Sequence, residues 1–227
     1  MIKGVIFDLD DTLFAEKEYV KSGYRFIAGE LSCKLDDSRQ RIYETMMKLF
    51  RENSLNVFNR LLDYYSCPYD DNVIRQLVIN YRNHNPSIHF FPDVLPCLDG
   101  LASINVSTGI LTDGYLESQK RKVMAIGAHK YFKEIVYTDE FGKDFWKPHP
   151  KPFEYMREKM DVDYDHLLYV GDNPCKDFYI SEILPIRTMR IYRKNSVYNE
   201  AEYYKGKRED FAIEDLHEIV TIVKKDS

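Results

Sequence analysis

Several common chemistries lack their residues in this 227-residue chain. Its four cysteines, Cys33, Cys67, Cys97 and Cys175, form no CxxC pair, which argues against a zinc knuckle or a disulfide framework and makes a reducing compartment the default. No GxGxxG follows the first apolar segment and there is no GxxxxGK[ST], so the usual dinucleotide and P-loop readings lack their signatures. HExxH is missing too, and the six histidines form no convincing ligand set. An EF-hand begun at Asp8 fails, because its glycine position is Leu13 and its closing glutamate position is Tyr19. Basic charge is not in excess: the formal net charge of -5 disfavours nucleic acid or an anionic membrane as the main partner. No stretch is long and apolar enough to span a membrane, and the apolar start stops at Asp8 without a small-residue cleavage site. Met1 is therefore read as the start of a cytoplasmic protein.

What is present is the composition of a globular chain, with 44% hydrophobic and 30% charged residues. IKGVIF at 2–7 is apolar, β-branched and too short for a helix, as a central parallel strand should be. The apolar period then becomes helical. Ile42, Met46, Leu49 and Phe50 share one face; Leu55, Phe58, Leu61, Leu62 and Tyr65 another; Val73, Leu77 and Tyr81 a third. CPYDD at 67–71 interrupts this series and HNPSIHFFPDV at 84–94 closes it. The pattern predicts an all-helical cap at 16–91, inserted after the first strand of a core made of 1–15 and 92–227.

After Pro92, SINVSTGILT, KEIVYT, HLLYVG and IRTMRI read as strands, separated by helix-length stretches at 115–126, 152–160 and 176–182. FAIEDLHEIVTIV adds a short strand and a terminal helix, while the Tyr-rich run at 198–210 reads as solvated surface. Strands alternating with helices predict an α/β fold, a Rossmann-like doubly wound parallel sheet.

Ligands of such sheets bind outside the carboxyl ends of the strands. Four polar clusters fall there: DLDDT at 8–12, LTDG at 111–114, WKPHPKPF at 146–153 and GDNPCKD at 171–177. Each alone is an ordinary turn. Together they gather carboxylates, a hydroxyl and a lysine, the set that phosphoryl transfer needs as nucleophile, charge screen and phosphate donors. Clustered carboxylates also suit magnesium.

In this chain order the four clusters resemble the motifs of the haloacid-dehalogenase-like hydrolase superfamily, in its phosphatase branch with a helical C1 cap. The resemblance implies a magnesium-dependent phosphoric monoester hydrolase acting through an aspartyl-phosphate. It makes Asp8 the nucleophile and Asp10 the general acid and base. Thr112 would hold phosphate oxygens, and Lys147 would neutralise charge on the nucleophile and transferring group; Lys151 is its rival within the same basic stretch. Magnesium would be held by Asp8, Asp172 and the main-chain carbonyl of Asp10, with Asp177 ligating it directly or through water. Gly171, Asn173 and Pro174 are given no chemical role, Asp11 reads as a turn carboxylate, and Asp113 is left only its backbone. Asp10 also separates this pattern from the dehalogenases, which lack a carboxylate there. The implied substrate is a small phosphorylated metabolite, turned over by a monomer or homodimer, with the cap as a mobile selector offering Tyr19, Tyr24, Arg25 and Arg51. A phosphomutase using the same chemistry and a catalytically silent phosphometabolite-binding protein are the alternatives.

Overall fold

The computed structural model describes residues 1–194, 196 and 198–225. It divides into two compact units, Met1–Ala15 with His89–Ser227, and Glu16–Ile88. The first is built on a parallel sheet of β1 (Gly4–Phe7), β2 (Ser107–Thr112), β3 (Glu134–Tyr137), β4 (Leu167–Gly171), β5 (Arg187–Ile191) and β6 (Phe211–Ile213). Strand order is β3-β2-β1-β4-β5-β6, so this is the α/β, doubly wound arrangement expected of the alternating pattern.

Every residue of β1 is buried, as the apolar run GVIF requires of a strand covered on both faces. Phe7 pairs with Ile110 on one side and Val170 on the other, placing β1 between β2 and β4. From β1 the chain builds the sheet outward to β3, then returns to β4 on the opposite side. The carboxyl ends of β1, β2 and β4 therefore surround a topological switch point. Ile6, Leu111, Leu167 and Tyr169 pack with Phe153, Met156 and Met160 of α7 (Pro150–Met160). Two further helices, α5 (Val94–Ser103) and α8 (His217–Lys225), pack against each other, and α6 (Leu116–Ala125) follows β2.

The second unit is helical: α1 (Glu16–Leu31), α2 (Arg39–Glu52), α3 (Val57–Tyr64) and α4 (Asp71–Arg82). Ser38 and Asp70 cap α2 and α4 by accepting from the backbone N–H of Arg41 and Val73. Its core joins Tyr24, Ile27, Ile42, Met46, Leu61 and Leu77. A Cβ on Gly23 would lie 2.3 Å from the Tyr81 ring, so glycine allows α1 and α4 to approach.

Three local expectations change. Helix α5 was hidden by Pro96 and Gly100, which interrupt its apolar period. The stretch at 176–182 forms only a 3₁₀ turn at Tyr179–Glu182. The run at 198–210 is not wholly solvated: the buried Arg190 guanidinium donates to the Tyr203 hydroxyl (2.7 Å) and the Tyr198 carbonyl (2.7 Å).

A second buried arginine ties the sheet unit together. Arg193 pairs with Asp93 (Nη1 to Oδ2, 2.6 Å), donates to the Thr12 carbonyl (2.7 Å) and lies over the Phe91 ring. Asp93 also accepts from the Leu216 N–H at 2.9 Å. The loop after β1, the entry to α5 and the approach to α8 are thus joined through one ion pair. Asp93→Ala would strand a buried guanidinium, and urea denaturation should show a loss of about 3–5 kcal/mol, much of it recovered when Arg193→Met is added.

Candidate active site

Three strands deliver carboxyl and hydroxyl groups to one rim: Asp8 follows β1, Thr112 ends β2 and Asp172 follows β4. Lys147, just before α7, reaches this rim with a fully buried side chain. Its ammonium donates to Asp8 Oδ1 (2.6 Å), the Tyr169 hydroxyl (2.6 Å) and Asp177 Oδ1 (2.9 Å). An ammonium has three protons, and these contacts use all of them. Burial alone would push the Lys147 ammonium towards neutrality; the carboxylates of Asp177, Asp8 and Asp113 outweigh that and raise it above its ordinary value. Burial would likewise raise the Asp8 carboxyl, but the charges of Lys147 and Lys176 hold it below its ordinary value. Asp8 is therefore a buried anion with a matched counter-ion. The rival Lys151 is exposed and sits over the Phe145 ring, 4.2 Å from its centroid.

Asp177 is fixed at both oxygens. Oδ1 accepts from Lys147 and the Tyr169 hydroxyl, and Oδ2 accepts from the Asn173 N–H at 2.9 Å. Asn173 Oδ1 in turn accepts from the Cys175 N–H, forming the turn that brings Asp177 back beneath the strand end. A Cβ on Gly171 would meet Asp177 Oδ2 at 2.5 Å, so the strand-end glycine makes room for that carboxylate. Gly171 and Asn173, given no role on sequence grounds, thus place Asp177.

Asp8, Asp172 and Asp177 each offer a carboxylate oxygen within 4.8 Å of the others, and all three are buried. Burial, followed by the charges of Asp177, Asp8 and Asp11, pushes the Asp172 carboxyl well above its ordinary value. Among the described residues Asp172 accepts a neutral hydrogen bond, from Ser196 Oγ to its Oδ2 at 3.2 Å. Crowded, all-oxygen and short of positive charge at Asp172, this set fits a hard divalent cation.

Asp10 belongs to a separate network based on α6. Lys122 Nζ donates to Oδ1 (2.7 Å) and Gln119 Nε2 to Oδ2 (2.9 Å). The Gln119 amide also donates to Thr112 Oγ1 at 2.6 Å, and the threonine hydroxyl in turn donates to the Asp113 carbonyl over a long 3.4 Å. One amide therefore couples the second aspartate of the first motif to the threonine of the second. The i, i+3 spacing of Gln119 and Lys122 puts both on one helix face, a signal visible in the sequence but unused there.

Asp113 has a larger part than its backbone. Its Oδ1 accepts from the Lys147 N–H (3.1 Å) and Thr138 Oγ1 (2.7 Å), and Oδ2 lies 3.5 Å from Lys176 Nζ. Of the four candidate contacts in the helical unit, Tyr24 is part of that unit's own core, where burial raises its hydroxyl pKa. Tyr19 is buried against Tyr81. Arg25 is exposed and lies over the Tyr43 ring; Arg51 is exposed at the end of α2.

The chain is 29% identical to a glyceraldehyde 3-phosphate phosphatase of Methanocaldococcus jannaschii, over 99% of this chain and 98% of the relative. It is 25% identical to the pyrophosphatase PpaX of Oceanobacillus iheyensis, over 98% and 97% of the two. Its fold resembles the crystal structure of a HAD phosphatase from Thermococcus onnurineus, with a TM-score of 0.62, 24% identity and 98% of each chain covered. The model of the haloacid dehalogenase-like hydrolases matches residues 5–191, and the chain belongs to that family.

Proposed function

We propose that this protein is a magnesium-dependent phosphatase that hydrolyses a small phosphorylated metabolite through an aspartyl-phosphate on Asp8. The observation that carries the reading is the buried Asp8 anion held by Lys147, because a carboxylate kept ionised and oriented can attack phosphorus. An Asp8 oxygen forms the bond to phosphorus as the ester P–O bond breaks. Asp10 acts as general acid, giving a proton to the departing alkoxide. The resulting Asp10 carboxylate then takes a proton from the attacking water as the phosphorus–Asp8 bond breaks, releasing orthophosphate and returning Asp8 as a carboxylate. Thr112, its oxygen engaged by Gln119, turns its proton from the long contact with the Asp113 carbonyl to a phosphate oxygen. Asp8, Asp172, Asp177 and the Asp10 carbonyl would hold magnesium, which when bound offsets the repulsion between an anionic nucleophile and an anionic ester.

The relatives are named for a three-carbon phosphoester and for pyrophosphate, and small substrates of this kind are the class we assign. Every residue in the proposed chemistry lies in the sheet unit, which leaves Glu16–Ile88 to choose among them. A cleft of about 340 Å³ within that unit is lined in part by Lys17, Lys21, Tyr43, Glu44 and Arg51. Replacing Glu16–Ile88 with a short linker should cost the best substrate of a phosphoester panel far more activity than p-nitrophenyl phosphate. Equal loss for both would remove the unit from selection.

Asp8→Asn should keep the fold and lose phosphate release by on the order of 10³-fold or more. Free orthophosphate, with no isomerised ester, is the expected wild-type product, and a fully active Asp8→Asn would end the covalent reading.

The raised Asp172 carboxyl gives a test independent of turnover. Folding raises its pKa above the ordinary 3.8, so the folded chain binds this proton more tightly than the unfolded chain. Stability is therefore lost as pH rises from about 3.8 through the raised value, and above that window the buried charge is a standing cost. In chelator at pH 8, Asp172→Asn should melt above wild type, and added magnesium should raise the wild-type midpoint more than the variant's. A variant that melts lower in chelator and gains equally from magnesium would contradict the site.

A further inference from the structure

The strand beside β4 brings Asp172 its partner. Arg190 of β5 is paired with Gly171 of β4, so β5 ends beside the residue that precedes Asp172. Two points of the chain leaving β5 are fixed by buried arginines. Arg193 is held by Asp93 and the Thr12 carbonyl, and its own carbonyl accepts from the Ser196 N–H (3.1 Å) and Asn199 Nδ2 (3.1 Å). Farther on, the Tyr198 carbonyl accepts from Arg190 Nη2 at 2.7 Å. Ser196 lies between these anchors. Its Oγ accepts from the Tyr198 N–H at 3.2 Å and donates to Asp172 Oδ2 at 3.2 Å. A hydroxyl has one proton, and with a backbone N–H aimed at its oxygen that proton is directed to the carboxylate.

We propose that Ser196 is a positioning residue of the cation site, holding the Asp172 carboxylate in the orientation that a divalent cation meets. The inference rests on the magnesium site of the reading above and adds to it a residue from outside the four sequence motifs. The physical reason is repulsion. Asp8, Asp172 and Asp177 offer oxygens within 4.8 Å of one another, and as anions each is pushed from the others until a cation binds. Lys147 counters this for Asp8 and Asp177 by direct contact. Asp172 is met instead by the Ser196 hydroxyl, a directional neutral donor on a loop secured at both sides. A carboxylate held through one oxygen keeps its plane, so less order has to be imposed when the cation arrives. Without that bond the repulsion turns Asp172 away, and cation binding must first bring it back. Ser196 touches no reacting atom in this role; it acts through Asp172.

The test uses the full-length protein at pH 8, with magnesium itself as the probe in calorimetric titration. Ser196→Ala should weaken magnesium binding by about 10-fold or more. Ser196→Thr and Ser196→Val have nearly the same shape and differ in the hydroxyl. Ser196→Thr should bind magnesium within a few-fold of wild type, and Ser196→Val as weakly as Ser196→Ala. The magnesium concentration that half-activates p-nitrophenyl phosphate hydrolysis should rise by the same factor in Ser196→Ala and Ser196→Val. Melting in chelator reports folding; should Ser196→Ala melt early, the comparison of Ser196→Thr with Ser196→Val decides, because the two carry the same bulk. Unchanged magnesium affinity in both variants without the hydroxyl, even with a lower midpoint in chelator, would make the contact merely structural and overturn the assignment. So would Ser196→Thr binding as weakly as Ser196→Val. A wild type that binds no magnesium would overturn the cation site and this inference together. A fully active Asp8→Asn would defeat the covalent mechanism alone, since magnesium binding across the Ser196 series is read without turnover.

Discussion

A buried ammonium held by two carboxylates and a phenol is the interaction on which the site depends. Lys147 is worth little as an ion pair in isolation, because taking its charge and those of Asp8 and Asp177 out of water costs several kcal/mol per ion. The expense is offset only if every proton and lone pair is met, and here the ammonium is met three times. Such an arrangement tolerates few alternatives. If Asp8 turned away, both a buried cation and a buried anion would be left partly unpaired, so the nucleophile is held in place by the cost of moving it.

Much of the remaining architecture can be understood as supporting that arrangement. β1 and β4 are neighbours in register, which sets Asp8 beside the strand that carries Tyr169 and ends at Gly171. The absence of a side chain on Gly171 admits Asp177 to the cluster, and the Asn173 turn holds its second oxygen. Asp113 fixes the Lys147 backbone while its other oxygen faces Lys176. The fold thus serves chemistry through a short sequence of local constraints: a strand end, a glycine, a turn and a buried lysine.

Legibility in the sequence followed spacing. The sheet strands were readable because each is a short apolar run ending in polar residues, and the order of the motifs brought Asp8, Thr112, Lys147, Asp172 and Asp177 into view. Helix α5 was not, since Pro96 and Gly100 disguise an amphipathic period that tertiary packing tolerates. Tyr169 was hidden for a different reason: within LLYVG it reads as one more buried strand residue, and nothing local shows that its hydroxyl meets Lys147 from another segment. Gln119 and Lys122 looked like the polar face of a helix. Their partners lie 109 and 112 residues away, a separation that periodicity cannot bridge. Sequence pattern reports which face a residue occupies; it does not report which charge lies opposite.

The two aspartates of the first motif show why that distinction matters to function. They are separated by one residue, Leu9, which is fully buried. Asp8 takes its hydrogen bond from Lys147 before α7, whereas Asp10 takes its two from Gln119 and Lys122 on α6. Nearly adjacent carboxylates therefore answer to different parts of the fold. Under the proposed chemistry one must remain an anion aimed at phosphorus while the other gives and takes a proton. If one donor served both, every proton transfer at Asp10 would disturb the alignment of Asp8. Separate donors on separate elements allow the proton to move at one carboxylate while the other stays fixed, and the buried leucine between them anchors the loop from which both diverge.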